Sequence, residues 1–284
     1  MKIQNLKAVR GSTKVMMGLA VLCGLAPWAS ATPATLGFYP STDIYPKNTF
    51  HLDVDSYGRG VKTDALVSSG LTYGIGPETS KIFGRSEVGL DYLLRLFGTI
   101  PATDPADDIG GTSRLIGNFK TQVYDNPSSA TRVVLGAWGL GSRKIFAPSY
   151  LYLTSAKSFE FGRVHLGIAR SLADRDVIAA PSGSSDRTSL HLGYDRYFAN
   201  NKLQFAVDYY SGKNAVTGVQ PTLYYYINDK ANFGVGYFRA NDASVAPSRN
   251  QVYLCFDYNF GGPPAAAPAA PPVPETAPTT PATN

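Results

Sequence analysis

Three histidines, with acidic and basic residues near them, are the side chains of this chain best suited to acid-base, nucleophilic or metal chemistry. His51, His165 and His191 lie in segments where polar and apolar residues alternate. Nucleophilic catalysis needs a hydroxyl or thiol within hydrogen-bond reach of an oriented base. Because no nucleophile motif stands beside these histidines, the sequence predicts no catalytic residue and no enzyme activity.

Metal and cofactor chemistry is only weakly indicated. His165 and His191 could share one level of a barrel with Asp195, but a solvated or ion-paired histidine is far commoner there than a metal ligand. The Gly-x-Gly pairs at 74–76 and 139–141 lack the strand-loop-helix context of a phosphate loop. We therefore predict no metal ligand, no cofactor-binding residue and no cofactor.

The charged residues favour a different chemistry, which is the passage or pairing of ions inside a barrel. They stand at alternate positions of the polar-apolar segments, so that they share one face, and their signs nearly cancel. A ring of one sign would indicate an ion-selective pore. The mixture predicts either a weakly selective channel or an interior largely closed by salt bridges. The side chains predicted to line the lumen are Asp53, Asp55, Arg85, Glu87, Asp91, Arg95, Lys120, Arg132, Arg163, His165, His191, Asp195, Lys202, Asp208 and Asp257.

The element that positions these residues is a β-strand, whose side chains alternate with a period of two. In Gln251 to Phe260 the even positions are apolar or aromatic and the odd ones polar or amphipathic. About ten such residues let a tilted strand cross the hydrocarbon core of a bilayer. In the fifth segment Val134 and Trp138 break the alternation, which leaves its facing open. The twelve predicted segments are 49–57, 65–76, 83–97, 115–124, 131–141, 150–156, 161–171, 188–197, 202–211, 222–227, 232–240 and 251–260.

A secreted soluble β-protein would show the same alternation with the faces inverted. Here the apolar face carries bulky aromatics in nearly every segment, and the other face carries Gly, Ser, Asp, Arg, Lys and His, which suits a water-filled lumen. A chain without long apolar helices can span a bilayer only as a closed sheet, because every backbone polar group must be paired there. The predicted fold class is an all-β, transmembrane, antiparallel up-and-down β-barrel of about 12 strands.

The connections between the segments alternate in length. Short ones such as 125–130 and 228–231 are rich in Asn, Asp, Ser and Pro, whereas 98–114 and 173–187 are long and richer in Gly, Pro and charge. Short turns at one rim and long loops at the other are typical of outer-membrane barrels. An even number of strands places both ends of the barrel at the short-turn rim, which we expect to face the periplasm.

Residues 1–31 have the parts of a cleaved secretory signal: a basic start, an apolar run over 15–25 and an Ala-Ser-Ala site at 29–31. Cys23 raises the alternative of a lipoprotein, but the bulky Leu22 before it disfavours that. Removing the signal takes away four basic residues and no acidic one, so that the formal net charge falls from +5 to +1. The sequence therefore predicts no nucleic-acid partner, and the single remaining cysteine, Cys255, predicts no internal disulfide.

The closing segment, which ends on Phe260 with Tyr258 before it, resembles the carboxy-terminal strand by which Gram-negative outer-membrane barrels are recognised for assembly. The resemblance covers residues 49–260 and implies a porin-like barrel in the cell outer membrane, with Tyr258 and Phe260 as the assembly signal. It implies outer-membrane lipid, the barrel assembly machinery and small solutes as partners. The His-x-Ser-Asn signature of outer-membrane phospholipases and the paired acidic residues with an Asp-His pair of omptin proteases are absent.

The segments that flank the barrel differ from it in composition. Residues 32–48 contain three prolines and are predicted to be a lead-in, either periplasmic or tucked into the barrel. Residues 261–284 are predicted to be a Pro/Ala-rich disordered periplasmic tail. The leading functional hypothesis is a porin-like passive channel for small solutes. The alternative is a structural or surface-interaction barrel without transport activity, whose loops or tail bind a partner.

Truncation after Phe260 should leave membrane insertion intact, because residues 261–284 have no apolar face to contribute. Phe260→Ala should instead slow assembly by weakening the closing strand. Both effects are measured as the fraction of protein that migrates faster on a gel before heating than after, since closed barrels resist unfolding by detergent. Failure of the truncated chain to insert would mean that the tail is part of the fold.

Overall fold

The computed structural model describes residues 34–58, 65–77, 84–96, 115–141, 149–245 and 250–262, with the backbone alone for 65–66 and 93–96. No helix in these ranges is long and apolar enough to cross a membrane, and the one α-helical turn is α1 (Arg175–Ile178). The strands are β1 (Thr49–Gly58), β2 (Ala65–Ile75), β3 (Ser86–Leu96), β4 (Leu115–Asn126), β5 (Thr131–Leu140), β6 (Tyr150–Phe159), β7 (Gly162–Ser171), β8 (Thr188–Phe198), β9 (Leu203–Tyr210), β10 (Gly218–Tyr226), β11 (Ala231–Ala240) and β12 (Asn250–Gly261).

The twelve strands form one closed antiparallel barrel, in which each strand pairs with its neighbours in sequence and β1 pairs with β12. At the closure Thr49 lies opposite Gly261, and Gly58 lies opposite Val252. A closed sheet has no free edge, so that the backbone donors and acceptors of every strand can be paired within the wall. The predicted fold class, an all-β antiparallel barrel of 12 strands, is confirmed.

Both ends of the barrel wall lie at one rim, here called the terminal rim, and the other end of the strands is called the far rim. The β4–β5 connection at the terminal rim is a 3₁₀ turn over Pro127–Ser129, in which Asn126 Oδ1 accepts a hydrogen bond from Ser128 N at 3.1 Å. Ala130 ends that turn in the left-handed region, at φ 49°. The β7–β8 connection at the far rim is much longer, over residues 172–187. The terminal rim carries the shorter connections, as the sequence predicts, except that the β2–β3 connection there, residues 76–85, is longer than the far-rim β9–β10 connection, residues 211–217.

The strand bounds differ from the prediction in two places that affect the facing of side chains. β10 begins at Gly218, ahead of Pro221, whereas the sequence pattern predicts a start at Thr222. Gln220 and Pro221 have no partner residue in the ladder with β11, because proline has no N–H to donate. The prediction that Lys202 faces the lumen is wrong, since this lysine lies in an exposed turn before β9.

The outer face of the barrel is a band of exposed apolar side chains. Every strand except β2 contributes at least one large exposed apolar residue among the side chains described, and Leu90 and Leu166 are 56% and 57% exposed. Water would penalise an apolar surface of this extent, whereas lipid tails accept it. This face is the one that the sequence pattern assigns to lipid.

Aromatic rings gather on the outer face near the terminal rim. Phe50 of β1 stacks on Phe260 of β12 with ring centroids 5.3 Å apart, and it contacts Tyr73 of β2 at 4.6 Å. Tyr258 lies beside Phe260 at 6.2 Å, and both side chains are 39% exposed. Aromatic girdles of this kind lie at the membrane–water interface of transmembrane barrels. The role of Tyr258 and Phe260 as an assembly signal stays a prediction.

The broken pattern in the fifth strand has a packing origin. Val134 and Trp138 point inward with Gly136, while Leu135 is 46% exposed on the outside. Their ladder with β4 is irregular at two places, between Gly117 and Phe119 and farther along the strand. Apolar inward side chains need an apolar partner inside the barrel, and the N-terminal segment provides it.

Residues 34–47, here called the plug, lie inside the barrel. The chain enters at the terminal rim, where Asn48 N donates to Gly74 O at 2.9 Å and Thr49 N donates to Pro46 O at 3.1 Å. Within the plug, Leu36 and Tyr39 are almost completely buried. Of the two placements open for the lead-in, the structure selects the one inside the barrel. The sequence-based expectation of a water-filled inner face is therefore wrong for the part that the plug covers.

Leu90→Arg should impair assembly, because it places a charge on the lipid face in the middle of β3, at a cost of about 2–4 kcal/mol near the bilayer midplane. Ile227→Arg is the matched control, since Ile227 is 53% exposed but lies in the β10–β11 turn at the terminal rim. The heat-dependent gel shift measures both variants. Equal behaviour of the two would contradict the assignment of the outer face to lipid.

Candidate functional site

The plug folds into a narrow turn that points toward the far rim. Leu36 N donates to Tyr39 O at 2.8 Å, and Ser41 N donates to Ala34 O at 2.9 Å, so that residues 34–41 run out and back. The one bridge in the plug joins Thr35 to Pro40. No residue of the plug joins a ladder of the barrel wall, and the plug is therefore held by side chains.

Asp208 of β9 holds the tip of the plug. One carboxylate oxygen, Oδ2, accepts hydrogen bonds from the backbone N–H groups of Gly37, Phe38 and Tyr39 at 2.9, 2.9 and 3.1 Å. Three convergent amide donors are the arrangement that a buried carboxylate requires, since an unpaired buried charge is strongly unfavourable. Tyr224 of β10 adds a fourth bond by donating from its hydroxyl to Leu36 O at 3.0 Å.

A buried ion pair holds the base of the plug. Lys120 Nζ of β4 lies 3.1 Å from Glu87 Oε1 of β3, and both side chains are at most 1% exposed. Glu87 also accepts from the backbone N–H groups of Ala34 and Tyr45, at 3.0 and 3.1 Å. Lys120 donates to the carbonyl oxygens of Ala34 and Ser41, at 2.9 and 3.2 Å. The backbone of the plug thus supplies hydrogen-bond partners to both charged groups, which the ion pair alone would leave only partly paired.

Arg163 of β7 links the plug to the opposite wall. Its guanidinium donates two hydrogen bonds to Asp43, at 2.6 and 2.7 Å, and two to Asp195 of β8, at 2.9 and 3.1 Å. Bidentate pairs of this kind fix geometry as well as charge. Desolvation raises the pKa of the Asp43 carboxyl, but the guanidinium of Arg163 and then that of Arg132 outweigh it and hold the pKa well below its usual range.

The plug also buries aromatic rings in the lumen. The Tyr39 ring stacks face to face on Tyr210 of β9, with centroids 3.5 Å apart and planes 6° apart, and its hydroxyl donates to Val216 O. Phe38 meets Trp138 edge to face at 5.5 Å and Tyr57 at 5.3 Å. This packing explains why β5 presents an inward tryptophan.

The connections at the far rim close over the tip of the plug. Ile178 of α1, Val216 and Val245 are buried and come from three different connections. Asn214 ties the β9–β10 connection to the wall, since its Nδ2 donates to Tyr150 Oη at 2.8 Å, and to the β7–β8 connection, since it also donates to Asp186 O at 2.6 Å. The plug thus occupies the described part of the lumen, and the described parts of three far-rim connections cover its tip.

The residues predicted to line the lumen separate into three groups in the structure. Arg85, Arg132, Arg163 and Asp257 are partly buried, and the side chain of Arg95 lies outside the described part. Their role along a solute path stays a prediction. Lys202 lies in an exposed turn, as described above, and the other nine are at most 6% exposed on the inner face: Asp53, Asp55, Glu87, Asp91, Lys120, His165, His191, Asp195 and Asp208.

Several important contacts were not predicted from the sequence. Asp43, Tyr39 and Phe38 belong to the plug, which the sequence identifies only as a proline-containing lead-in. The aromatic residues among the prolines, together with the inward Val134 and Trp138, were the available signals. Within the described residues, no group of three or more His, Cys, Asp or Glu side chains could hold a metal ion.

No protein-family model and no curated protein sequence matches the chain. Several solved structures are similar at low identity. The KdgM porin in complex with disordered oligogalacturonate is 8% identical, with a TM-score of 0.42, over 74% of this chain and 99% of that one. The NanC porin is 10% identical, with a TM-score of 0.45, over 75% and 100%. Outer membrane phospholipase A from Escherichia coli is 11% identical, with a TM-score of 0.38, over 78% and 95%.

Asp43→Asn should loosen the plug, because it removes the charge that Arg163 and Arg132 hold. Plug exposure is measured by the rate at which a thiol reagent modifies Ser41→Cys, a buried position, in a background where Cys255 is replaced by Ala. We expect modification to be at least several-fold faster with Asp43→Asn at pH 7. Asp229→Asn, in an exposed turn at the terminal rim, is the control.

The pH dependence follows from the sign of the Asp43 shift. The carboxyl of Asp43 has a pKa of about 3.9 when it is exposed and a lower one when the plug is docked. Its ion pairs therefore stabilise the docked plug fully at any pH above about 3.9, and this stabilisation is lost as the pH falls through the lowered pKa. Because the thiolate is the reacting form and becomes scarce in acid, each rate is divided by that of a fully exposed cysteine at the same pH. This normalised rate should be low at pH 7 for the protein with unchanged Asp43 and should rise in strong acid. Equal modification rates with and without Asp43→Asn at pH 7 would show that this charge does not hold the plug.

Proposed function

We propose that the protein is an outer-membrane channel for small solutes whose lumen is closed by the plug in this structure. One observation carries the proposal: apart from its covalent link to β1 through Asn48, the plug contacts the wall by hydrogen bonds, ion pairs and side-chain packing, and none of its residues belongs to a ladder of the barrel. An element held in this way can leave while the wall stays closed on itself. The barrel is then a preformed passage and the plug its stopper.

The chemistry of the inner wall supports this proposal. Asp208, Glu87 and Lys120 all form hydrogen bonds with the plug. Arg163 binds two carboxylates, and one of them belongs to the plug. Burying so many ionisable groups gives little net stability, because desolvation offsets the attraction. A wall of apolar side chains would suit a purely structural core better. Ionisable groups suit a wall that is also in contact with water when the plug has left.

The size of the barrel is consistent with a narrow passage. Side chains fill the interior of barrels of about eight strands, whereas barrels of about sixteen strands enclose an open channel. Twelve strands lie between these limits. With the plug removed, twelve strands would leave a narrow passage. Its inward charges of both signs would make it weakly selective between anions and cations.

A structural or surface-interaction barrel is the second candidate. The observation that favours it is the completeness of the closure, since Ile178, Val216 and Val245 cover the end of the lumen that the tip of the plug approaches. A barrel of this kind would have no conducting state. We propose the same location for both candidates: the outer membrane, reached through a cleaved signal and the barrel assembly machinery, with the terminal rim in the periplasm.

Deletion of residues 32–47 from the mature chain should produce small, weakly selective channels in planar bilayers, because it removes the plug and leaves all twelve strands. The full mature chain should be mostly closed under the same conditions. A synthetic peptide of residues 34–47, added to the deletion variant, should reduce its conductance, and a peptide of scrambled sequence should not. A correctly folded deletion variant that is silent in bilayers would exclude the channel and favour the structural candidate.

A further inference from the structure

A patch of the inner wall on β6 to β9 contains polar atoms that find no partner in the described part of the chain. Five side chains contribute Tyr152 Oη, Thr154 Oγ1, His165 Nδ1, both ring nitrogens of His191, and Tyr210 Oη, and the same strands also carry Ser189 Oγ and Asp208 Oδ1. All five side chains are at most 2% exposed. A buried polar group without a partner is unfavourable by about 1–3 kcal/mol, so that each such group in a native protein calls for an explanation.

The strand register gathers these groups into one patch. Thr154 lies opposite Gly167, Gly167 opposite His191, and His191 opposite Tyr210, which makes a single row across four strands. The adjacent row toward the terminal rim contains His165 and Gly193. Four of the five side chains thus lie in two adjacent rows, which indicates a site rather than scattered defects. Tyr152 lies in the next row, opposite Ala169, and its hydroxyl lies at the margin of the patch, over Gly136 of β5.

Small residues make room in the middle of the patch. A Cβ at Gly167 would come within 2.7 Å of Thr154 Oγ1, and a Cβ at Gly193 would come within 3.3 Å of His191 Nε2 and 3.1 Å of His165 Cβ. Either contact is too close for a side chain larger than glycine to be accepted without movement. In this structure Leu36 of the plug fills the space over Gly193, since a Cβ there would come within 2.5 Å of Leu36 Cδ2. Departure of the plug would therefore open this space beside the two imidazoles.

The donor and acceptor groups of the patch suit a hydroxyl-rich molecule. Because His165 Nε2 lies 2.9 Å from Asp195 Oδ1, it carries the hydrogen, and Nδ1 is left as an acceptor. A neutral His191 offers one donor and one acceptor, and each of the three hydroxyl groups offers both. The patch can thus pair with several hydroxyl groups at once.

The surrounding charges disfavour an anionic molecule. Asp208 lies opposite Gly193 at the edge of the patch, and its carboxylate would lose three amide donors when the plug leaves. The nearest cation, Arg163, stays paired with Asp195 at 2.9 Å. A carboxylate-bearing solute would therefore meet an uncompensated negative charge.

The plug itself indicates the shape of the ligand. The Tyr39 ring lies flat on Tyr210 beside His191, at centroid distances of 3.5 and 6.2 Å. When the plug leaves, the face of Tyr210 becomes available to another ring, with the polar atoms of the patch around it. An aromatic face with a few convergent polar groups is the usual composition of a small-molecule site.

We propose that this patch binds a neutral, hydroxyl-rich six-membered ring, such as a monosaccharide, once the plug has left, and that Tyr39 occupies the place of that ring in the closed state. The proposal rests on the proposed function for its account of how the site opens. It names the class of solute that the channel would admit. Binding at the patch can nevertheless be measured without any conduction.

Trp138 provides the signal for a binding experiment. It is the only tryptophan outside residues 1–31, and its ring stacks on Tyr150 at 5.9 Å and meets Tyr39 edge to face at 5.6 Å. Glucose is titrated into the refolded variant that lacks residues 32–47, and the fluorescence of Trp138 is recorded. We expect a saturable change with glucose and binding at least 10-fold weaker with glucuronate, its carboxylate analogue.

Two substitutions test whether the patch is the site. Thr154→Val and His191→Phe should each weaken glucose binding by about 5- to 10-fold, because each removes hydrogen-bonding groups from the patch. Thr222→Val is the matched control, since Thr222 is an equally buried threonine on β10 whose Oγ1 already accepts from Gln220 Nε2 at 3.4 Å. It should bind glucose as the unsubstituted variant does.

A second variant keeps the test independent of the deletion. Tyr39→Ala in the full mature chain exposes the Tyr210 face and leaves the rest of the plug, so that it should bind glucose where the unsubstituted full chain does not. Absence of a saturable change in both variants, or equal binding by Thr154→Val and Thr222→Val, would overturn the proposal. Glucose binding without conductance would overturn the channel and leave the site, whereas conductance without binding would do the reverse.

Discussion

The pairing of β1 with β12 is the constraint on which the rest of this structure depends. It closes the sheet, with Thr49 opposite Gly261, and so removes the unpaired edge that a hydrocarbon environment would not tolerate. It also fixes the position of Asn48 at the mouth of the barrel, where the chain arrives from the plug. The segment before β1 therefore ends at the opening of the lumen, and a short turn before Thr49 is enough to place that segment inside the barrel.

Once the plug is inside, the inner wall and the plug depend on each other. Asp208 takes three amide donors from the tip of the plug, and the Glu87–Lys120 pair takes four backbone groups from its base. Each of these groups would be costly to bury alone. Water could also satisfy the groups that hold the plug. The free-energy difference between the docked and the released plug can therefore be small, even though the plug makes many contacts.

The contacts of the inner wall are not uniform, and its regions differ in where their hydrogen-bonding partners come from. Around Glu87 and Asp208 the hydrogen-bonding partners come from the plug, whereas around His191 the plug offers the side of an aromatic ring and no polar group. Packing a ring against hydroxyls and imidazoles leaves their hydrogen bonds unmade. Such a region is poorly explained by stability alone, and it is the part of the wall to which we assign the proposed solute site.

The sequence by itself determined the strands, their number and their facing. The period of two, the length of the segments and the alternation of short and long connections are local properties, and β1, β3, β7 and β12 follow them closely. Local patterns do not predict the facing of a residue whose side chain packs against a residue far away in the sequence. Trp138 breaks the alternation because it packs against Phe38, a hundred residues earlier.

Only the tertiary structure decided what fills the lumen. Proline-containing segments carry no periodicity, so that nothing in residues 34–47 indicates which face is buried or where the segment goes. The inner charges could be assigned to one face from their spacing, but whether they meet water or a plug depends on contacts between residues far apart in the chain, such as Asp43 with Arg163. Those contacts exist only after the barrel has closed, because closure creates the interior in which they form.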